Sequence, residues 1–158
     1  MGMKKTPLKT KTPLKVKTVL KANLKPKKQK KPSVAKLKKK ADAIFSKYIR
    51  LRDNNICITC GGEGNQAGHF QSRRYNSTRY SDENVNCQCY RCNVLFYGEQ
   101  YKYAVEVDLK FGEGTAKKLA ELAKIPHQFT VEELQAIIDE YEEEVAWYEK
   151  AVQQPSRA

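Results

Sequence analysis

The chain has 158 residues, enough for one domain of ordinary size, and its 9% aromatic content is compatible with a small packed core. The net charge is +12, from 30 basic and 18 acidic residues. No stretch approaches the roughly 18 apolar residues of a membrane span, and the apolar segment of a signal peptide is missing, so we expect no membrane association and a cytoplasmic location.

The basic residues are concentrated at the N-terminus. Residues 1–40 hold 16 lysines and no acidic residue, whereas the other 118 residues carry 14 basic and 18 acidic side chains. Lys-Thr-Pro-Leu-Lys occurs at Lys5–Lys9 and again at Lys11–Lys15, and high charge with spaced prolines predicts a disordered arm over residues 1–32. Because polycations release counterions from DNA, we interpret the arm as a nonspecific phosphate-binding segment. A solubilising tail or a localisation signal is the alternative.

A leading helix is predicted over residues 33–53. Ser33 follows a proline and can cap the helix at its N-terminus. Apolar residues then recur at three- and four-residue spacing, at Val34, Leu37, Ala41, Ile44, Tyr48 and Leu51. A face of lysines lies opposite this stripe.

Residues 54–98 have the features of a compact unit organised by a metal ion. They contain short segments, a glycine-rich turn at Gly61–Gly64 and all five cysteines of the chain. An odd number of cysteines fits a complete disulfide framework poorly, and a reducing cytosol favours metal ligation. The chemistry is expected here.

Four of the cysteines form two C-x2-C pairs. Cys57 and Cys60 make the first, and Cys89 and Cys92 the second, so that four thiolates can fill the tetrahedral shell of one Zn²⁺. A closed shell leaves no position for substrate, which predicts a structural zinc. Cys87 offers a rival pairing, but with a one-residue spacing, and we interpret it as spare.

The C-terminal region, residues 99–151, is predicted to be helical and to end in a flexible tail over residues 152–158. Helical patterns near residues 99–110 and 115–125 are separated by glycines and followed by a proline.

The last helix has the clearest pattern. Thr130 and Glu133 can form a capping box at its start. An apolar stripe follows at Val131, Leu134, Ile138, Tyr141, Val145 and Tyr148. We interpret the stripe as packing within the chain, with a seam between two chains as the alternative.

Three polar residues stand in a diagnostic order between and after the cysteine pairs. His69 and Asn84 lie between the pairs, and Asn93 follows the second pair directly. A lone histidine is usually structural, and this order is what favours catalysis. It resembles that of the HNH, or ββα-metal, nucleases, in which zinc joins the ends of a hairpin and a following helix faces it.

The resemblance implies an α+β fold with a small zinc-stapled ββα-metal (HNH) core flanked by α-helices. The segment Cys89–Asn93 resembles that of phage endonuclease VII, a Holliday-junction resolvase, which implies that Asn93 binds a catalytic metal ion. Many members have an Asp or His before the catalytic histidine as a second metal ligand. This chain has Gly68 there.

A more extensive resemblance covers most of residues 42–150 and is to the lambdoid phage recombination proteins called NinG or Rap. It implies a DNA endonuclease of the bacterial host cytoplasm that selects branched intermediates such as D-loops and Holliday junctions. Phage recombination proteins and a second copy of the chain are the implied partners. The residues that carry it are Cys57–Gly61, Ala67–Phe70, Arg79–Tyr80, Glu83–Val85, Gln88–Asn93, Tyr103, Val105–Glu106, Gly112 and His127–Glu133.

The reaction assigns a role to each polar residue. Phosphodiester hydrolysis needs a base for the attacking water and positive charge at the phosphate. His69 has a reference pKa of about 6.5 and is predicted to be the general base. Asn93 would hold Mg²⁺, for which Mn²⁺ should substitute. Asn84 is interpreted as an orienting residue whose amide ties the hairpin to the histidine loop.

Three arginines between His69 and Asn84 are predicted to bind DNA phosphates through their guanidinium groups: Arg73, Arg74 and Arg79. Arg79 is favoured because the resemblance includes it. Tyr75 and Tyr80 could stack on unpaired bases, although packing is the usual role of such tyrosines.

Other functions remain open at this stage. A noncatalytic zinc-stapled DNA-binding module would also explain the cysteines and the basic arm. An HNH enzyme that recognises base sequence would need a recognition element, and none is evident. An RNA-binding zinc protein would prefer substrates with 2′-hydroxyl groups.

Overall fold

A computed structural model describes residues 32–153. The predicted basic arm, up to residue 31, and the tail from residue 154 lie outside them. The described residues form helices and a two-stranded sheet, which confirms the α+β prediction. In chain order the elements are α1 (Val34–Arg52), β1 (Gln66–His69), a 3₁₀ helix (Asn76–Thr78), β2 (Val85–Gln88), a π-helical turn (Arg91–Leu95), α2 (Gln100–Phe111), α3 (Thr115–Leu122) and α4 (Val131–Gln153).

Helix α1 buries a face close to the predicted one. Its buried side chains are Leu37, Ala41, Phe45, Tyr48 and Ile49. The predicted stripe placed Ile44 and Leu51 on this face, but both are only half-buried. Side chains four residues apart lie above one another on a helix, so the face centred on Ala41 continues through Phe45 and Ile49. Ser33 is the N-cap as predicted, although its side chain makes no capping hydrogen bond.

Helix α4 begins with the predicted capping box. The Glu133 amide donates to Thr130 Oγ1 at 3.1 Å, and the Thr130 amide donates to the Glu133 carboxylate at 2.7 Å. These reciprocal bonds satisfy amide groups that the first turn of a helix leaves free.

Helices α1 and α4 pack along their apolar faces. Leu134 and Ile138 are completely buried against the first half of α1. Further along, the Tyr141 ring lies 4.7 Å from that of Phe45 and 4.8 Å from that of Tyr48, measured between centroids. The centre of the stripe, from Leu134 to Val145, is therefore buried within the chain, in agreement with the packing interpretation.

The hairpin of β1 and β2 lies on this helix pair. The strands are antiparallel, with Gln66 opposite Gln88 and His69 opposite Val85. Val85 is completely buried in the cluster between α1 and α4. Because directly opposed residues of an antiparallel pair project to the same face, His69 lies on the same face as Val85.

Helices α2 and α3 cover the other face of the hairpin. They confirm the predicted segments, except that α3 ends at Leu122. Phe70 packs against Tyr103, Val107 and Leu119 in a second apolar cluster. No helix among residues 32–153 is both long and apolar enough to span a bilayer.

Asp53 joins three elements near the end of α1. Its carboxylate accepts hydrogen bonds from Arg52, from Lys110 of α2 and from the backbone amide of Cys87 in β2. Burial alone would raise the pKa of Asp53, but these donors hold it below its usual value.

The packing of α4 on α1 gives a first prediction. Replacing the fully buried Ile138 with alanine removes packed methyl and methylene groups and should lower the free energy of unfolding by about 2–5 kcal/mol. The matched control is Leu109→Ala, because Leu109 is 74% exposed, and its effect should stay within about 0.5 kcal/mol. Urea denaturation measures both values. Equal losses in the two variants would contradict the packing.

Candidate functional site

The four cysteines of the two C-x2-C pairs converge on one point. The first pair lies in a turn closed by hydrogen bonds between Cys57 and its neighbours Gly61 and Gly62. The second pair lies where β2 passes into the π-helical turn. The four sulfur atoms lie within 4.8 Å of one another, and Cys60 Sγ and Cys89 Sγ are 3.8 Å apart. A Zn–S bond of about 2.3 Å gives tetrahedral S–S edges of about 3.8 Å, so the cluster could hold a metal such as zinc.

The electrostatics of these sulfurs favour a bound cation. Backbone amides donate to Cys57 and, against the effect of burial, lower its pKa to about 7. Burial and contacts with the other cysteines raise the pKa of Cys92. Four adjacent thiolates repel one another, and a dication removes that repulsion.

Cys87 lies outside this cluster, as predicted. Its side chain is completely buried beside Gly64, where an added Cβ atom would lie only 2.7 Å from the Cys87 sulfur. Burial and the nearby Asp53 carboxylate raise the pKa of Cys87 to about 11, so it stays a neutral thiol.

His69 is the last residue of β1 and lines a cleft of about 790 Å³. Asn93, from the π-helical turn, lines the same cleft. The predicted base and the predicted metal ligand therefore line one cleft.

The His69 ring is held in one tautomer. Its Nε2 lies 3.2 Å from the backbone carbonyl oxygen of Arg79, and because a carbonyl only accepts, Nε2 carries the proton. Burial, followed by the charges of Arg73 and Arg79, lowers the pKa of His69 to about 4. The ring is therefore neutral at pH 7, with a free electron pair on Nδ1.

Asn84 is hydrogen-bonded to the loop that follows His69. It is completely buried, its Oδ1 accepts from the Gln71 amide at 2.6 Å, and its Nδ2 donates to the carbonyl groups of Gln71 and Thr78. All three partners are backbone groups. Asn84 is a positioning residue, since a fully buried amide cannot touch a substrate.

The Asn93 side chain faces the hairpin. Its Nδ2 donates to Gln66 Oε1 at 2.7 Å, which directs the amide and leaves Oδ1 as the atom that can bind a cation. The π-helical turn that carries Asn93 is thereby fixed to the start of β1.

The structure gives a steric reason for Gly68. A Cβ atom at this position would lie 2.0 Å from Gln88 Oε1. Gln88 is completely buried and donates from Nε2 to Thr59 and to the carbonyl group of Gly98, which fixes the direction of its oxygen. Within residues 32–153, Gln88 Oε1 is the buried side-chain polar atom without a hydrogen-bond partner. An acidic ligand at position 68 would displace this side chain.

Arg79 requires a correction. It was expected to be the main phosphate contact, but its guanidinium group forms a two-point ion pair with Asp42 of α1, at 2.8 and 2.6 Å. Only 12% of the Arg79 side chain is exposed. The Arg79 guanidinium group is therefore occupied by a partner within the protein, and the ion pair connects the loop after His69 to α1. Arg73 and Arg74, in contrast, are exposed and line the cleft.

The two tyrosines of this loop differ. Tyr80 packs on Phe45 and donates to Asp42, so it is structural. Tyr75 lines the cleft beside the Arg74 guanidinium, 4.7 Å away. His127 lies edge-on to Phe129 and does not line the cleft.

Sequence reasoning missed the roles of three residues: Asp42, Gln88 and Tyr103. Asp42 was detectable as an acidic residue in a lysine-rich helix. The buried Tyr103 hydroxyl group donates to the Gly68 carbonyl and accepts from the Asn86 amide, but nothing in its spacing distinguishes it from an ordinary core residue.

Comparison with known proteins identifies relatives. The family model described as "Bacteriophage Lambda NinG protein" matches residues 1–151. Protein ninG of Escherichia phage lambda is 30% identical over 112 residues, which cover 68% of this chain and 54% of that protein. Protein ninG of Escherichia phage 933W is also 30% identical over 112 residues, covering 68% and 55%. The chain spans about half the length of these curated relatives. No solved structure matches it.

The cysteine cluster gives a second prediction. Purified protein should contain one zinc ion per chain, and Cys57→Ser should lose it and melt at a lower temperature because one ligand of the closed site is gone. The matched control, Cys87→Ser, should keep its zinc. Metal content by mass spectrometry and a thermal melt measure the effect. Equal zinc loss from both variants would contradict the assignment.

His69 gives a third prediction. Its ring should take up a proton only near pH 4, against about 6.5 for an exposed imidazole. Between these values the unfolded chain binds the proton more readily, so the free energy of unfolding should fall as pH drops from 6.5 to 4, by on the order of 3 kcal/mol from this residue. NMR titration of the ring carbon, assigned with a His127→Ala variant, measures the pKa. A midpoint at or above 6.5 would overturn it.

Proposed function

The chain belongs to the bacteriophage lambda NinG protein family, and on that premise we propose that it is a metal-dependent DNA endonuclease of the HNH type. Family membership does not specify the reaction. The observation that carries the proposal is the cleft shared by a neutral, tautomer-fixed His69 and by Asn93, next to a four-cysteine cluster.

The arrangement of elements supports an HNH assignment. Strands β1 and β2 are followed by the π-helical turn, and the Asn93 amide of that turn is bonded to Gln66 of β1. Two strands followed by a helical segment that packs against them is the arrangement expected of a ββα-metal unit. The cysteines connect the hairpin to the turn, where a structural zinc would fix the position of Asn93.

His69 would act as the general base. Nε2 donates to the Arg79 carbonyl, so Nδ1 can accept a proton from a water molecule that attacks the phosphorus atom. We propose that the bond between phosphorus and the 3′ oxygen breaks, which leaves a 5′ phosphate and a 3′ hydroxyl group. The backbone carbonyl keeps the ring in place before and after the proton moves.

The donor set fits a hard, mostly hydrated ion such as Mg²⁺ or Mn²⁺. Asn93 offers an amide oxygen at the cleft. Mg²⁺ prefers oxygen and retains several waters, and when bound it would supply positive charge against the developing phosphorane. No carboxylate lines the cleft within residues 32–153, so we expect weak binding that depends on the substrate phosphate.

Arg73 and Arg74 are the proposed phosphate contacts of the cleft, because both are exposed there. The lysines of residues 1–40 would add nonspecific attraction to DNA. Branched recombination intermediates remain the proposed substrates, phage recombination proteins the proposed partners, and a homodimer a proposed arrangement, since paired nicks need two active sites.

A second candidate is a noncatalytic zinc-stapled DNA-binding module. The missing carboxylate in the cleft favours it, because many metal nucleases hold their ion with an acidic residue. The basic arm is compatible with both functions.

A cleavage assay gives a fourth prediction. Zinc-loaded protein should cut labelled D-loop and four-way-junction DNA with added Mg²⁺ or Mn²⁺, and cut linear duplex less. His69→Ala should slow cutting by about 10²–10⁴-fold because the base is lost, while DNA binding and zinc content persist.

The matched control is His127→Ala, which removes the other histidine, outside the cleft, and should cut normally. Binding without cutting by the unmodified protein in either metal ion would favour the noncatalytic module. Full activity of His69→Ala would remove His69 as the base.

A further inference from the structure

We infer that Tyr97 stacks on an unpaired DNA base beside the cleft, and that this contact lets the protein distinguish open DNA from duplex. The inference rests on the proposed function and adds the feature of the substrate that the site recognises. It follows from the exposure of Tyr97, its backbone conformation and the charges around it.

Tyr97 combines nearly full exposure with a position at the cleft. Its side chain is 89% exposed, yet it lines the same cleft as His69 and Asn93. A large aromatic residue so exposed contributes almost nothing to the core. A base held on its ring would lie next to the phosphate that the cleft would bind.

The backbone at this point, where the π-helical turn ends, has an unfavourable conformation for a residue with a large side chain. Tyr97 has φ of +51° and Glu99 has φ of +49°, on either side of Gly98 at +87°. Residues with a Cβ atom rarely adopt this conformation, and glycine or asparagine is the usual choice. Strain of this kind persists mainly at functional sites. A tyrosine kept at an exposed, strained position indicates a use for its ring.

The charges near Tyr97 match a nucleic acid. The exposed Arg73 and Arg74 line the same cleft, and Arg74 lies against the Tyr75 ring. In the π-helical turn the Arg91 guanidinium lies 4.9 Å from the Phe96 ring. Aromatic rings for bases beside cations for phosphates are the chemistry of single-stranded DNA binding.

These features favour an unpaired deoxynucleotide as the ligand of this surface. In a duplex both faces of each base are covered by neighbours, so a ring can stack only where a strand is open, as at a gap or a branch. A second copy of this chain is the competing occupant, because α2 exposes an apolar row of Tyr101, Val105 and Leu109.

Binding measured without added Mg²⁺ or Mn²⁺ tests the inference independently of cleavage. The probes are a duplex and a gapped duplex, each with 2-aminopurine at the central position. Tyr97→Ala should lose about tenfold in affinity for the gapped DNA and little for the duplex, and the fluorescence change of the gapped probe should disappear. Tyr97→Phe should retain both signals.

Tyr101→Ala is the matched control, since Tyr101 is 84% exposed, lies four residues away and does not line the cleft. It should bind as the unmodified protein does. Tyr97→Gly removes both the ring and the strain, so it should melt at an equal or higher temperature while it loses the gapped-DNA preference, which excludes misfolding as the cause.

Three results would overturn the inference: an unchanged gapped-to-duplex affinity ratio in Tyr97→Ala, an equal loss in Tyr101→Ala, or a fall in molecular mass in solution on Tyr97→Ala. The last would assign the surface to a second copy. If the unmodified protein cuts DNA and Tyr97→Ala keeps its preference, the inference fails and the endonuclease stands. If the preference depends on Tyr97 but no DNA is cut, the inference stands and the proposed endonuclease activity fails.

Discussion

The candidate site depends on a hairpin that is too small to be stable alone. Strands β1 and β2 have four residues each, and an isolated two-stranded sheet is at best marginally stable in water. Val85 fixes one face of the hairpin against α1 and α4, and the Tyr103 hydroxyl group fixes the other through Gly68 and Asn86. The four-cysteine cluster lies at the end where β1 begins and β2 finishes. The opposite end then holds His69 in one place.

Polar contacts, more than apolar packing, determine the positions of the side chains in the cleft. Asn84 is completely buried and satisfies three backbone groups of the histidine loop. A buried polar group without a partner is costly, so these bonds permit only one loop conformation. The Arg79 side chain secures the same loop to Asp42, and its carbonyl fixes the His69 tautomer. The Gln88 oxygen is the exception in the described chain, and it lies against Gly68.

The charged residues fall into two groups, one paired inside the protein and one exposed at the cleft. Two acidic residues of α1 and its C-terminal end, Asp42 and Asp53, are used inside the protein to pair with Arg79, Arg52 and Lys110. The arginines left exposed at the cleft are Arg73 and Arg74. Exposed cations together with a strained, exposed Tyr97 make this side of the protein suited to contact a ligand, whereas the side formed by α1 and α4 supplies stability.

The sequence alone determined the features that depend on local spacing. C-x2-C pairs specified the four clustered cysteines, three- and four-residue periodicity specified α1 and α4, and the Thr130 capping box specified where α4 begins, because each involves residues close along the chain. Only the tertiary structure showed that Arg79 is paired with Asp42, that Gly68 leaves room for Gln88, and that Tyr97 lies at the cleft. Those facts depend on contacts between residues far apart in sequence and on a left-handed backbone turn, and side-chain identity specifies neither.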